Sequence, residues 1–286
     1  MRLSKPALAA AAVLALGGGG YYALSASAGP TTAERAAAAD LGLPLDSYQL
    51  TYQEQSDATR ATDLMIRACM SKAGFDWYVS SGPSTRPDPV RRRYGVIDPQ
   101  VAERFGYRPP SSRRSEEVER RRSGILENPE AQKVYYGSKD GKKRGCVDGA
   151  REELARGAER SGDLLPVSLS RKSLESSGND PAVVAVQRKW KKCMAARGYD
   201  YETPSAAVDA PAWDPDSAVV TAKEKAVASA DVECKYEVDM IKIWVGVESR
   251  IQRAAITKNA SRLNALKRAL TIYNANVRSA LNRLDG

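Results

Sequence analysis

Whatever chemistry this chain performs, it performs without histidine: 286 residues hold 35 Asp and Glu, 44 Lys and Arg and four cysteines, but not one imidazole. That excludes a Ser-His-Asp or Cys-His nucleophile pair, an H-E-x-x-H zinc protease, an imidazole proton shuttle and an axial haem histidine. Carboxylates are the remaining route to general acid–base chemistry, and glycan hydrolases work with a Glu/Asp pair alone. The candidates beside aromatics are Asp76 next to Trp77, Asp200 and Glu202 next to Tyr201, and Glu248 near Trp244. Asp76 and Asp200 read as local turn caps. Glu248 is the candidate buried acid, because it falls on an apolar stripe, where a carboxylate must find a partner or reach solvent. Arg250, or Lys189 and Lys191, could pair with it. A salt bridge or a register-setting polar position then accounts for Glu248 without catalysis, and no residue is assigned a catalytic role.

Two basic clusters suggest binding instead. Arg91, Arg92 and Arg93 run into Tyr94, and Lys142, Lys143 and Arg144 stand next to Cys146, where a disulfide could fold them back toward the first group. Together they are the candidate anion-binding residues, for wall phosphates, lipid headgroups or extracellular DNA. The competing reading is a solvated loop whose arginines pair with Glu103, Glu116, Glu117 and Glu119. No specific nucleic-acid motif is present.

Cys69, Cys146, Cys193 and Cys234 are separated by 77, 47 and 41 residues, unlike the C-x-x-C knuckles of a zinc site, so neither a metal nor a cofactor is expected. Cys69-Met70-Ser71-Lys72-Ala73-Gly74-Phe75-Asp76-Trp77 repeats as Cys193-Met194-Ala195-Ala196-Arg197-Gly198-Tyr199-Asp200-Tyr201, at an offset of 124. Each copy predicts a helix end, with the glycine in the left-handed position and an aromatic folding back on the last turn. Such aromatics either staple the helix end to the core or stack on sugars. Met70 and Met194 are expected to pack beside the sulfurs. One further cysteine follows each copy, so the economical pairing is Cys69 with Cys146 and Cys193 with Cys234. Four cysteines allow three connectivities, and each closed loop would contribute about 4 kcal/mol on a chain-entropy estimate.

These residues must be carried by helices. Only two phenylalanines and 7% aromatics argue against a large β-barrel or sandwich, while abundant Ala and Arg favour helix. Asp180-Pro181 starts a helix whose Val183, Val186, Trp190 and Cys193 share one face; in the first copy Ser56 takes the Asp180 position and Ile66 that of Trp190. Asp98-Pro99 to Gly106 and Asn128-Pro129 to Gly137 predict two short helices. Between Ala218 and Leu284 there is no proline, and only Gly246 interrupts. Ile241, Trp244, Glu248, Ile251 and Ala255 form a heptad-like seam that resumes, after a stutter at Asn259, through Leu263, Leu266, Leu270, Tyr273, Val277, Ala280 and Leu284. Residues 247–284 as one helix would span about 57 Å and would need a partner, either earlier helices or a second copy of the chain.

Residues 1–28 resemble an export signal, with Arg2 and Lys5 ahead of the apolar Ala7 to Leu16 stretch and a small-residue Ala26-Ser27-Ala28 site. An uncleaved signal anchor is the competing reading, since no charge falls between Lys5 and Glu34. Cleavage would remove two positive charges and take the net charge from +9 to +7. Residues 86–122, with eleven arginines and six acids, hold five of that surplus. The expected organisation is a mainly α protein. An N-terminal linker (29–55) leads to a first stapled half with the basic excursion (56–156). A second linker (157–179) leads to a second stapled half ending in a long coiled-coil-like helix (180–286).

The Cys-Met-x-x-x-Gly-aromatic-Asp-aromatic unit, the Tyr94-Gly95-Val96-Ile97-Asp98-Pro99 segment leading to Phe105-Gly106-Tyr107, and Ala230-Asp231-Val232-Glu233-Cys234 before the Glu248/Gln252 helix resemble a group of uncharacterised exported proteins of actinobacteria. The resemblance covers most of residues 50–284 and implies work in the cell envelope, secreted or held at the membrane by the N-terminal segment, but no catalytic residues. The expected function is therefore a non-enzymatic envelope accessory protein contacting a protein partner or wall component. A carboxylate-dependent wall hydrolase and a binder of anionic wall polymer or lipid headgroups are the alternatives.

Overall fold

A computed structural model describes residues 41–79, 92–108, 113–138, 141–213 and 219–284. The stretch read as an export signal and Arg91 lie outside them. The described residues form eleven α-helices, two short 3-10 turns and no strand. In chain order the helices are α1 (Tyr52–Lys72), α2 (Pro99–Phe105), α3 (Arg113–Leu126), α4 (Pro129–Tyr136), α5 (Cys146–Leu154), α6 (Leu165–Gly178), α7 (Pro181–Ala196), α8 (Pro204–Val208), α9 (Ala222–Glu237), α10 (Met240–Lys258) and α11 (Ala260–Leu284).

The helix starts follow side-chain chemistry. Asp98, Asn128 and Asp180 each accept a hydrogen bond from a first-turn N–H, with proline next in sequence. α1 begins a turn earlier than its match to α7 suggests, because Thr51 and Glu54 form a capping box and leave Ser56 inside the helix. The repeated unit builds the same ending twice. Phe75 N–H bonds Met70 C=O and Gly74 N–H bonds Ser71 C=O, as Tyr199 does to Met194 and Gly198 to Ala195. Gly74 and Gly198 sit at φ 83° and 84°, where a side chain would be strained.

The disulfides are Cys69–Cys146 and Cys193–Cys234, each with Cα atoms 5.7 Å apart. Each lies in its own apolar cluster. The first gathers Ile66, Met70, Trp77, Ala131, Val147 and Ala150. The second gathers Val186, Trp190, Met194, Val227 and Met240, and also takes Val96, Ala102 and Tyr107 from the excursion.

Elements cross between these clusters in ways the expected boundaries miss. The C-terminal α11 packs on α1, with Val277 and Ala280 against Ala58 and Ala61. Residues 41–48, expected as linker, bury Leu41, Leu43 and Leu45, and the Leu45 N–H donates to Gln252 Oε1 at 2.9 Å. Residues 157–179, also expected as linker, hold α6, whose buried Ser170, Ser173 and Ser177 let it lie close on α10. A serine-rich stretch looked solvated, but its small side chains are packing surface here. The long seam is two helices: Gly246 stays helical and Asn259 interrupts, at the position of the stutter. Its apolar stripe is covered within the chain, α10 by α6 and α7 and α11 by α1.

Candidate functional site

Glu248 is fully buried, as its place on the seam required, but its partner is a residue of the basic run. Arg93 Nε lies 3.0 Å from both carboxylate oxygens, and its Nη2 also contacts Oε1. The Tyr94 hydroxyl donates to Oε2 at 2.7 Å and Gln252 Nε2 to Oε1 at 2.7 Å. Arg93 Nη2 further donates to Ser170 C=O at 2.6 Å. Burial, and then the charge of Glu248, push the Tyr94 phenol above its ordinary range. The expected partners are elsewhere: Arg250 pairs with Asp180 and Lys191 with Glu202, while Lys189 stays exposed. A carboxylate with no exposed surface and a guanidinium on both oxygens is placed to hold chain segments together. It has no approach for a glycosidic oxygen.

The neighbouring residues serve the same end. Arg92 turns inward, donates to Tyr107 C=O and has its ionisation pulled down by burial. The fully buried Lys235 bonds Val96 C=O at 3.0 Å and Asp231 at 2.8 Å, and Trp190 Nε1 donates to the same Asp231 at 2.9 Å. Burial raises the Asp231 carboxyl, while Lys235, Trp190 and Tyr107 pull against it. Tyr107 N–H and Arg108 meet the buried Glu224. Residues 92–108 are thus fastened to α9 and α10 by the Arg93–Glu248, Lys235–Val96 and Arg108–Glu224 contacts, although Arg92 Nη1 and Glu224 Oε2 are buried without a hydrogen-bond partner. Arg93 is held as an anchor to α10, and Arg92 turns onto Tyr107 of its own segment.

The other basic cluster faces outward. Lys142, Lys143 and Arg144 are exposed on a tight hairpin between α4 and α5, where Ser138 N–H bonds Lys143 C=O at 2.8 Å. A Cβ on Gly137 would meet Lys143 O at 2.4 Å and one on Gly145 the Tyr136 carbonyl carbon at 2.3 Å, so glycine at both positions lets the two chain segments touch. Arg144 pairs with Glu152 at 2.7 Å. The two clusters are therefore not pooled: one lies against α10, the other beside the first disulfide.

Next to this hairpin stands an aromatic group of which the sequence reading singled out only Trp77. Trp77 stacks on Tyr135 with centroids 4.7 Å apart, and Tyr135 meets Tyr136 edge-on at 4.6 Å. Arg122 lies over Trp77 and Arg121 over Tyr78, at 5.3 and 4.8 Å. Trp77 is only 6% exposed and is a helix-end staple, but Tyr136 is 59% and Tyr78 36% exposed. The adjacent Tyr135-Tyr136 pair ahead of Gly137 was the available signal. In the second copy Tyr199 and Tyr201 pack partly buried on the core. Asp76 and Asp200 are exposed on their turns, and Glu202 is exposed beside Lys191.

No known family, characterised protein or solved structure matches the chain. What the side chains can do is therefore the sole guide to function. Two formed disulfides fit an oxidising compartment, and no helix among the described residues is long and apolar enough to cross a membrane.

Proposed function

We propose that the chain is an exported, non-enzymatic envelope protein that contacts a wall component through the face bearing Tyr78, Tyr136, Arg121, Lys143 and Arg144. One contrast carries this reading. The acid singled out for chemistry is sealed and clamped, while exposed aromatics and cations gather at the end of the first disulfide cluster. Exposed tyrosines offer flat apolar faces with a hydroxyl at the rim, suited to sugar rings, and neighbouring cations suit anionic substituents on them. Most of these cations already have acidic neighbours, Arg121 with Glu117 and Arg144 with Glu152, so the aromatics carry more of the contact than net charge does.

Co-sedimentation with purified cell-wall sacculi tests this. Wild type should pellet with the wall, and Tyr78→Ala with Tyr136→Ala should weaken pelleting about tenfold, in line with losing two exposed aromatic contacts. Unchanged pelleting of the double variant would remove the face from consideration. Release of soluble glycan fragments by wild type would replace the reading with an enzymatic one.

A further inference from the structure

The two disulfides are built on the same repeated helix ending, but one position differs in a way that matters to sulfur chemistry. Where the first copy has Ala73, the second has Arg197. Its Nη1 lies 2.6 Å from Cys193 Sγ and 3.1 Å from Cys234 Sγ. Glu237 holds the guanidinium from the other side at 2.9 Å, lies 3.5 Å from Cys193 Sγ, and is joined by Glu233 at 3.7 Å from Nε. We propose that Cys193–Cys234 is a thiol–disulfide exchange site, reduced by a dithiol at milder potential than Cys69–Cys146. The inference stands apart from the wall-contact reading and does not depend on it.

A cation beside sulfur stabilises thiolate and lowers the thiol's pKa, and a lower-pKa thiolate leaves faster. Cys234 is wholly buried while Cys193 keeps 8% exposure, so Cys193 is the cysteine that an incoming thiolate reaches. A reductant thiolate bonds to Cys193 Sγ, the S–S bond breaks, and its electron pair departs on Cys234 Sγ beside Arg197. The second thiol of the reductant then gives up its proton and attacks its own sulfur in the mixed disulfide. It leaves as a cyclic disulfide and releases Cys193. Two electrons pass from the dithiol to the cysteine pair, and its two protons go to the cysteine sulfurs or to solvent.

Loop length does not set this order: it acts through the unfolded chain, whereas in the folded protein both pairs are already held with Cα atoms 5.7 Å apart. Cys69 is the more accessible sulfur-bearing residue, which affects rate and not equilibrium.

The test is an anaerobic titration of the full chain in dithiothreitol redox buffers, with alkylation and peptide mass spectrometry of all four cysteines. Cys193 and Cys234 should be half-alkylated at a thiol-to-disulfide ratio about tenfold lower than Cys69 and Cys146. Arg197→Ala should close most of that gap, Arg197→Lys should keep most of it, and Ala73→Arg should move the first pair toward the second. The first pair in the same molecule reports any general loss of folding. Earlier reduction of Cys69–Cys146, simultaneous reduction of both pairs, or an Arg197→Ala gap equal to wild type would overturn the proposal.

Discussion

Replacing Arg93 by alanine leaves Glu248 without exposed surface and with only Tyr94 and Gln252 as donors. The side chains of Arg93 and Glu248 are 15% and 0% exposed, which puts the pair in the regime where stranding one charge costs about 3–5 kcal/mol, not the 0–1 kcal/mol of a surface pair. Two surviving donors place the expectation at the lower end, about 3 kcal/mol. For a chain of this size that is roughly 6–12 °C in Tm. Glu248→Gln keeps an acceptor for Tyr94 and leaves a guanidinium that retains some exposure, so about 1–2 kcal/mol is expected. The double variant should lose at least about 1 kcal/mol less than the sum, because the second change removes the charge that the first one strands. Urea unfolding followed by far-UV circular dichroism measures all three. An Arg93→Ala variant within about 0.5 kcal/mol of wild type would place Arg93 in solvent and refute the anchoring of residues 92–108.

Gly74→Ala and Gly198→Ala meet no neighbour but force a side chain into positive φ, so each should cost about 1–2 kcal/mol and by similar amounts; unequal losses would argue against a shared helix ending. Gly246→Ala should stabilise by about 0.5–1 kcal/mol, since the residue is helical, exposed and free of neighbours for a Cβ; a loss in thermal melting would mean the backbone is not helical there. Tyr94 and Tyr107 are both held protonated by burial, so their contribution is complete below about pH 10, the unfolded phenol value, and is lost as pH climbs toward their raised folded values. Absorbance at 295 nm should then show a fraction of tyrosines ionising only together with alkaline unfolding, and a Tyr94→Phe, Tyr107→Phe variant should reduce that fraction, with half-buried Tyr135 and Tyr273 accounting for part of what remains.

Helix starts and the paired cysteines were legible because they are local: a capping side chain, a proline and a glycine each act within one turn. The repeat was legible too, since Cys-Met-x-x-x-Gly states both a helix end and a covalent partner position. Glu248 could be recognised as buried from its seam position, but Arg93 stands 155 residues earlier, and no local rule connects them. The arginine run looked like a ligand grip because charge is read as exposure, whereas here each inward guanidinium meets a carboxylate or carbonyl. Residues 157–179 failed for the opposite reason: serine reads as solvated, although Ser177 Oγ accepts from Trp244 Nε1 at 2.8 Å in the interior. The aromatic face was missed because its members come from three separate segments.

The packing of α11 on α1 also dictates an order of events. Ala58 and Ala61 are covered by Val277 and Ala280, which lie far later in the sequence. While the polypeptide is being synthesised, that face of α1 stays open until α11 has emerged. The helix carrying the first cysteine therefore waits uncovered until then, and contacts of such long separation are slow to find. A truncation after Asn259 should leave that face of α1 uncovered, fold incompletely and bind hydrophobic dyes.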